Sequence, residues 1–340
     1  MTLTGGDPGP LIAAARQASR KATDWILAQQ RESGVIGDPS HGFKYYRGPW
    51  SLALMGELEP ALALCGWIRE NLLRDGRLDG EARILRDGWA YRDSVLMVGA
   101  QMLQQYDLSL GILRGFRGWQ DPTSGGFAND LAEDGSMSDE MDIPYAAGPG
   151  FALLATGRID EARRVARFLS SIYEAQEHLP DRFYCFWSRR HQSIIEEKDP
   201  GFQERMVVES RADRMQRWTI GGIAAGFLGR LYLADPRAEY LDLARRYQDF
   251  SMGSAEAQFK YPSVCKSSWG AALLYQITGE PGYRDWLYRM AEWYVDGQEE
   301  DGWWHPWVEK TSADVIEITL EFIMHIQVLL GALASRSEDD

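Results

Sequence analysis

The chain has 340 residues, 45% hydrophobic and 25% charged, with 13 Trp, 15 Tyr and a formal net charge of −14. That acidity, with no basic stripe in the sequence, excludes a general nucleic-acid or anionic-membrane surface, because phosphate binding needs clustered cations. No apolar run is read as approaching the roughly 20 residues that cross a bilayer, and Met1 to Pro10 lacks a basic segment followed by an apolar one, so the expectation is a cytoplasmic protein without a membrane span. Cys65, Cys185 and Cys265 lie far apart with no CxxC, which leaves neither a disulfide framework nor a zinc-finger spacing and reads as three reduced, buried thiols.

In chain order, apolar positions at helical spacing (Leu11, Ala15, Ala22, Trp25, Ile26) predict a first helix over 11–31, stopped near Gly34. Pro49 opens a short helix closed by Gly56, and a third runs over 60–73. Helices follow at 89–104 and 108–119. The next is interrupted by Gly148-Pro149-Gly150, which places its regular part at 149–156, and a strongly amphipathic one covers 159–176. The connection 177–214 is the longest and most charged, and by loop-length reasoning is either a functional lid or a flexible insertion. Helices at 215–233, 237–250, 266–278, 282–298 and 313–334 complete the chain.

These are twelve helices in six pairs, and their connections alternate. Long ones follow odd-numbered helices; short ones such as Gly56-Glu57, Tyr106-Asp107, Thr156-Gly157, Asp235-Pro236 and Thr278-Gly279 follow even-numbered ones. Strict alternation puts every long loop at one end. Even-numbered helices are rich in small residues (Gly221, Gly222, Ala224, Ala225; Gly270, Ala271, Ala272), as a closely packed inner ring requires, whereas odd-numbered ones carry polar faces such as Glu161, Arg163 and Arg167. The predicted fold class is all-α, an (α/α)6 toroid, as one domain over 1–340 with 1–10 a flexible start and 335–340 a flexible acidic tail. An open helical solenoid is the alternative, and its repeats would be more alike than these.

Three segments carry a resemblance. Gln29-Gln30 with Gly34, after Ala22-Thr23-Asp24-Trp25, and Gln298 with Gly302 and Trp304, after Ala291-Glu292-Trp293, are similar to the Gln-Trp repeats of terpenoid cyclase and protein prenyltransferase toroids. Asp121 with Gly125-Gly126-Phe127 and Asp134-Gly135 resembles a segment of N-acylglucosamine 2-epimerases, and similar phrases occur in unsaturated uronyl hydrolases. Each could also mark only a helix end. In such toroids the long-loop end resembles the site entrance, where helix N-termini favour anionic or electron-rich groups.

The residues placed at that rim are Tyr45, Tyr46, Arg47 and Trp50; Trp89, Tyr91, Arg92 and Asp93; Asp139, Glu140, Asp142 and Tyr145; Asp213, Arg214, Gln216, Arg217 and Trp218; Lys266 and Trp269; and Trp303, Trp304, His305 and Trp307. Carboxylates among aromatics suit acid catalysis, since an apolar surrounding raises a carboxyl pKa while aromatic faces hold a carbocation or a sugar ring. Asp139, Glu140 and Asp142 form the leading proton-donor cluster and Asp93 the second candidate; each also reads as a helix cap. His305 is a candidate acid or base. Arg47, Arg92, Arg214, Arg217 and Lys266 suggest a substrate carboxylate or phosphate, or else ordinary ion pairs. Cys185 reads as buried and inert.

The sequence departs from the families it resembles. Asp139-Glu140-Met141-Asp142 is not the Asp-x-Asp-Asp donor of class II terpene cyclases, no Asp-Asp-x-x-Asp is present, and the zinc set of prenyltransferases and the paired histidines of the epimerases have no counterparts. A metal-free, cofactor-free site is therefore expected. The function read from the sequence is an acid–base enzyme that cyclises, isomerises or dehydrates a small amphipathic, isoprenoid or polyketide-like substrate. Such toroids also include a cofactor-free linalool dehydratase-isomerase, a likeness of chemistry only. The alternatives are a carbohydrate-active enzyme, a uronyl hydrolase or sugar 2-epimerase, and a non-catalytic binding toroid. No oligomeric state is implied.

Overall fold

The computed structural model describes residues 8–74, 77–78, 89–130, 136–196, 207–306 and 312–336. Twelve α-helices occupy them: α1 Gly9–Ala28, α2 Gly48–Leu54, α3 Leu58–Asn71, α4 Trp89–Met102, α5 Tyr106–Phe116, α6 Ile143–Ala155, α7 Ile159–Glu174, α8 Ile220–Ala234, α9 Ala238–Met252, α10 Cys265–Thr278, α11 Pro281–Asp296 and α12 Ser312–Ala334. The even-numbered helices pack in sequence order, α2 on α4, α4 on α6, onward to α12, and α12 returns to α2 and α1. The ring is closed. This is the (α/α)6 toroid that the alternation of loops predicts, with odd-numbered helices outside. The Gly- and Ala-rich α8 and α10 pack the most extensively of all helix pairs, as their missing side-chain bulk allows.

What holds neighbouring outer helices in register is a repeated loop device. After α1, α5 and α11 the chain turns back in a single β-bridge, Gln30 to Ile36, Gln120 to Phe127 and Gln298 to Trp304. In each, the glutamine amide donates to the carbonyl of the loop glycine and to a carbonyl of the next outer helix: Gln30 to Gly34 and Pro60, Gln120 to Gly125 and Glu161, Gln298 to Gly302 and Ala18. Gly34 and Gly302 have φ of +94° and +102°, and a Cβ at either would lie 2.5 and 2.7 Å from the Ala63 and Lys21 carbonyl oxygens. Only glycine fits there. The Gln and Gly of the resemblance are therefore structural clamps.

Three elements differ from the sequence expectation. α6 begins at Ile143, not near Pro149, because the Asp142 side chain accepts from Tyr145 N at 2.8 Å and caps it; Pro149 is accommodated inside the helix. α8 begins at Ile220 rather than Met215. The long connections carry short strands: β1 Leu73–Arg74, β2 Arg77–Leu78, β3 Glu140–Asp142, β4 Arg182–Tyr184, β5 Phe186–Ser188, β6 Ser193–Ile194 and β7 Val207–Glu209. β5 pairs antiparallel with both β3 and β6, and β4 with β7, so the described parts of the 177–214 connection are tied to the strand that leads into α6.

One further correction concerns α12. Its segment Asp314–Ala334 is 21 residues long and apolar enough, by length and composition, to cross a membrane, yet 67% of its most apolar window is buried in the ring. Of the expected flexible ends, residues 1–7 and 337–340 lie outside the described residues, and Gly9 and Pro10 already belong to α1. At the axis, Trp269 stacks on Phe151 with centroids 4.2 Å apart and meets Trp50 edge-on at 5.5 Å. These rings fill the middle of the toroid.

Candidate active site

At one end of the ring the first turns of the inner helices, and the residues just before them, enclose a cavity of about 230 Å³. Its walls are Tyr46 before α2, Tyr91 and Arg92 of α4, Pro144 and Tyr145 of α6, Arg217 and Thr219 before α8, Ile223 of α8, Lys266 of α10 and Glu317 of α12. Every inner helix contributes a neighbourhood, which follows from the closed ring. Guanidinium groups and tyrosine rings alternate around it: Arg47 lies 4.5 Å from the Tyr46 centroid, Arg92 5.7 Å from the same ring, and Arg217 5.6 Å from Tyr145 and 5.1 Å from Phe186.

Two carboxylates anchor these cations. Asp142, fully buried, holds the Arg217 Nη1 at 2.6 Å through Oδ2 while Oδ1 caps α6. Glu317 accepts from Lys44 at 2.8 Å and from Tyr46 Oη at 3.0 Å, with Arg47 Nη1 at 3.3 Å. Burial alone would push the Glu317 carboxyl up; the charges of Arg47, Arg92 and Lys44 outweigh it and bring it down to about 2. Tyr91 is raised by burial, with Arg47 opposing, and so keeps its proton. Its Oη accepts from Arg47 Nη2 at 3.5 Å and meets no acceptor among the described residues. Burial pulls the Lys266 ammonium down to about 8, and its Nζ lies against the carboxylate of Glu321. Arg92 Nη1 is buried without a hydrogen-bond partner among the described residues.

The structure thus brings together Tyr46, Tyr91, Arg92, Tyr145, Arg217 and Lys266 of the predicted set, with Arg47 and Asp142 directly behind them. It puts the others elsewhere. Trp50 and Trp269 belong to the axial stack. Tyr45 is buried against Phe43 and Trp67. Asp93 is buried on α4 outside the cavity wall. Asp139 accepts from Ser188 Oγ and Arg190 N, both at 2.8 Å, and Glu140 pairs with Ser188 in the β3–β5 ladder. Trp303 lies on Trp25, Trp304 donates to Tyr294 O at 2.9 Å, and His305 is 69% exposed beside Trp303.

Asp213 pairs with Lys260, Arg214 with Glu209, and Gln216 with the Glu209 backbone. Trp218 is buried, and burial pushes the Cys185 thiol up to about 12. Trp307 and the Trp89 side chain lie outside the described residues. Sequence reasoning missed Lys44, Glu317, Glu321 and His325. The last three are spaced i, i+4, i+8 along a mostly apolar stretch, Val315 to Leu330, and so share one helix face. Polar groups in such a row on a core helix are the signal that would have found them.

Fold and cavity together define an (α/α)6 toroid with a small, charged and aromatic site at its mouth. No protein-family model matches the chain, and no curated protein matches it. Among solved structures it is similar to a D-mannose isomerase (12% identity, 91% of this chain and 96% of that one covered, TM-score 0.62). It is also similar to a family 76 α-mannanase from Bacteroides thetaiotaomicron (11%, 95% and 98%, TM-score 0.64). A third is the type II terpene cyclase MstE from Scytonema, solved with merosterolic acid A (12%, 95% and 99%, TM-score 0.58). Identities this low establish the shared fold, and the chemistry has to be argued from the cavity.

Proposed function

We propose that the protein is an enzyme that isomerises or dehydrates a small amphipathic substrate bearing a carboxylate, using acid and base groups of the protein alone; ring closure of a short chain falls within the same chemistry. The observation that carries this reading is Arg92, whose buried Nη1 at the cavity wall has no partner among the described residues. A buried donor without an acceptor is costly, and a substrate carboxylate would remove that cost while fixing the substrate's orientation. Arg217 adds a second cation, held in place by Asp142, which acts as a positioning residue.

Tyr91, protonated and with no acceptor for its hydrogen among the described residues, donates to the substrate oxygen that leaves or turns anionic. Glu317, ionised, stabilises positive charge as it develops and takes up the proton released. Proton transfer thereby shifts from Asp142 and Asp93 to Tyr91 and Glu317. A volume of about 230 Å³ suits a monosaccharide or a short isoprenoid or polyketide-like acid rather than a long polyene. Tyrosine hydroxyls and guanidinium groups on all sides favour a second reading, a sugar isomerase or uronate-processing enzyme.

Incubation with two panels, short prenyl and polyketide-like acids and alcohols, and aldoses with uronic acids, tests the proposal by mass spectrometry and chromatography. Products of equal mass, or lighter by one water, from an acid of the first panel are expected. Turnover confined to the second selects the sugar reading, and silence from both contradicts an enzymatic site.

A further inference from the structure

Behind the cavity, deeper in the ring, α10 and α12 bring Cys265, Glu321 and His325 together, with one donor atom from each lying within 4.8 Å of the others. All three are buried, His325 completely. We infer that these residues form a binding site for one divalent transition-metal ion of borderline softness, zinc being the natural occupant, outside the substrate cavity and beside Lys266, which lines it. Two independent observations point to a ligand. Neither ring nitrogen of His325 has a hydrogen-bond partner among the described residues, although a wholly buried imidazole normally satisfies at least one. The donor set of thiolate, imidazole and carboxylate is also the one zinc selects, with an i, i+4 pair on one helix supplying two ligands.

The carboxylate is divided between two tasks. Glu321 Oε2 forms an ion pair with Arg47 Nη2 at 3.2 Å, while Oε1 faces His325 Nε2 at 3.5 Å and meets Lys266 Nζ. Lys266 Nζ also lies 3.8 Å from Cys265 Sγ. The ammonium therefore sits where a metal would, as a competing cation. It has somewhere to go, because Lys266 is a long side chain that already lines the cavity. Ligands about 2.0–2.3 Å from a tetrahedral ion lie roughly 3.3–3.8 Å apart, so the Glu321–His325 pair is already spaced for one and the widest donor pair needs to close by at most about 1 Å. Three protein ligands leave a fourth position, on the side from which Lys266 withdraws.

The test uses the full chain, stripped with chelator and titrated separately with Zn²⁺ and Co²⁺. About one equivalent of each is expected to stay bound through gel filtration, and the cobalt protein should show a near-ultraviolet thiolate-to-cobalt charge-transfer band with intense visible bands of tetrahedral geometry. Cys265→Ser should abolish that band, whereas Cys65→Ser and Cys185→Ser leave it. Lys266→Met, which removes the competing cation, should bind Zn²⁺ at least as tightly as the parent. Should a ligand variant fail to fold, the parent's stoichiometry and spectrum still decide. No retained metal in parent and Lys266→Met alike, or a band that survives Cys265→Ser, overturns the inference and leaves the cluster a buried ion pair.

Discussion

The energetics of single residues centre on how the cavity wall holds three cations, Arg92, Arg217 and Lys266, without collapsing onto its carboxylates. Asp142 is the clearest case, since one oxygen caps α6 and the other pairs with Arg217. Asp142→Ala removes a cap worth about 0.5–2 kcal/mol and leaves a guanidinium unpaired, so the loss in urea unfolding should reach about 3–5 kcal/mol. Asp142→Asn keeps a capping oxygen and should cost less. Glu317 gives a pH dependence of defined sign. Its folded carboxyl, at about 2, lies below the ordinary value of 4.5, so the stabilisation is full above 4.5 and is lost as pH falls from 4.5 towards 2. The shift corresponds to on the order of 3 kcal/mol. Chemical denaturation of parent and Glu317→Gln between pH 6 and 3 should show the parent's advantage shrinking with acid; an unchanged gap would mean the carboxylate is not held ionised by its neighbours. For catalysis, Tyr91→Phe should lower kcat by roughly 10²-fold or more with the fold intact by circular dichroism.

Among the elements, the β-bridged loops after α1, α5 and α11 matter most, because each locks one outer helix to the next. Gln298 and Gly302 make the last such link, joining α11 to α1 and so closing the outer ring. Gly302→Ala puts a side chain at φ +102° and against the Lys21 carbonyl, and should lower stability by about 1–3 kcal/mol in thermal or urea unfolding. A neutral result would show that the link is dispensable. The helices themselves were legible in sequence, since apolar spacing, Gly and Pro punctuation and the alternation of loop lengths each reflect a local cause. The start of α6 was not. Pro149 looks like a boundary by propensity, but the capping bond of Asp142 and the β3–β5 ladder fix the start six residues earlier. The short strands were also hidden, because two- and three-residue pairings depend on partners up to about fifty residues away and leave no periodicity of their own.

For the whole molecule, ring closure is what converts scattered positions into one site. Arg92, Tyr145, Arg217 and Lys266 could be placed at the rim from sequence because each stands at the start of an inner helix. Glu317 was not, because its i, i+4, i+8 row with Glu321 and His325 marks a polar stripe on α12 without showing which site it faces until α12 is laid between α10 and α2. Trp50, Trp269 and Phe151 pack against one another in the ring, and the cavity at the mouth is a small cup of about 230 Å³. The central claim is that this cup receives a small anion on Arg92. Calorimetric binding of a matched pair, a short amphipathic carboxylic acid and its primary alcohol, to the parent and to Arg92→Met tests it most directly. The acid should bind the parent about 10–100-fold more tightly than the alcohol, as a charged hydrogen bond of about 1.5–3 kcal/mol implies, and Arg92→Met should erase the difference. Equal affinity for acid and alcohol in the parent, or a preference that persists in Arg92→Met, would contradict it.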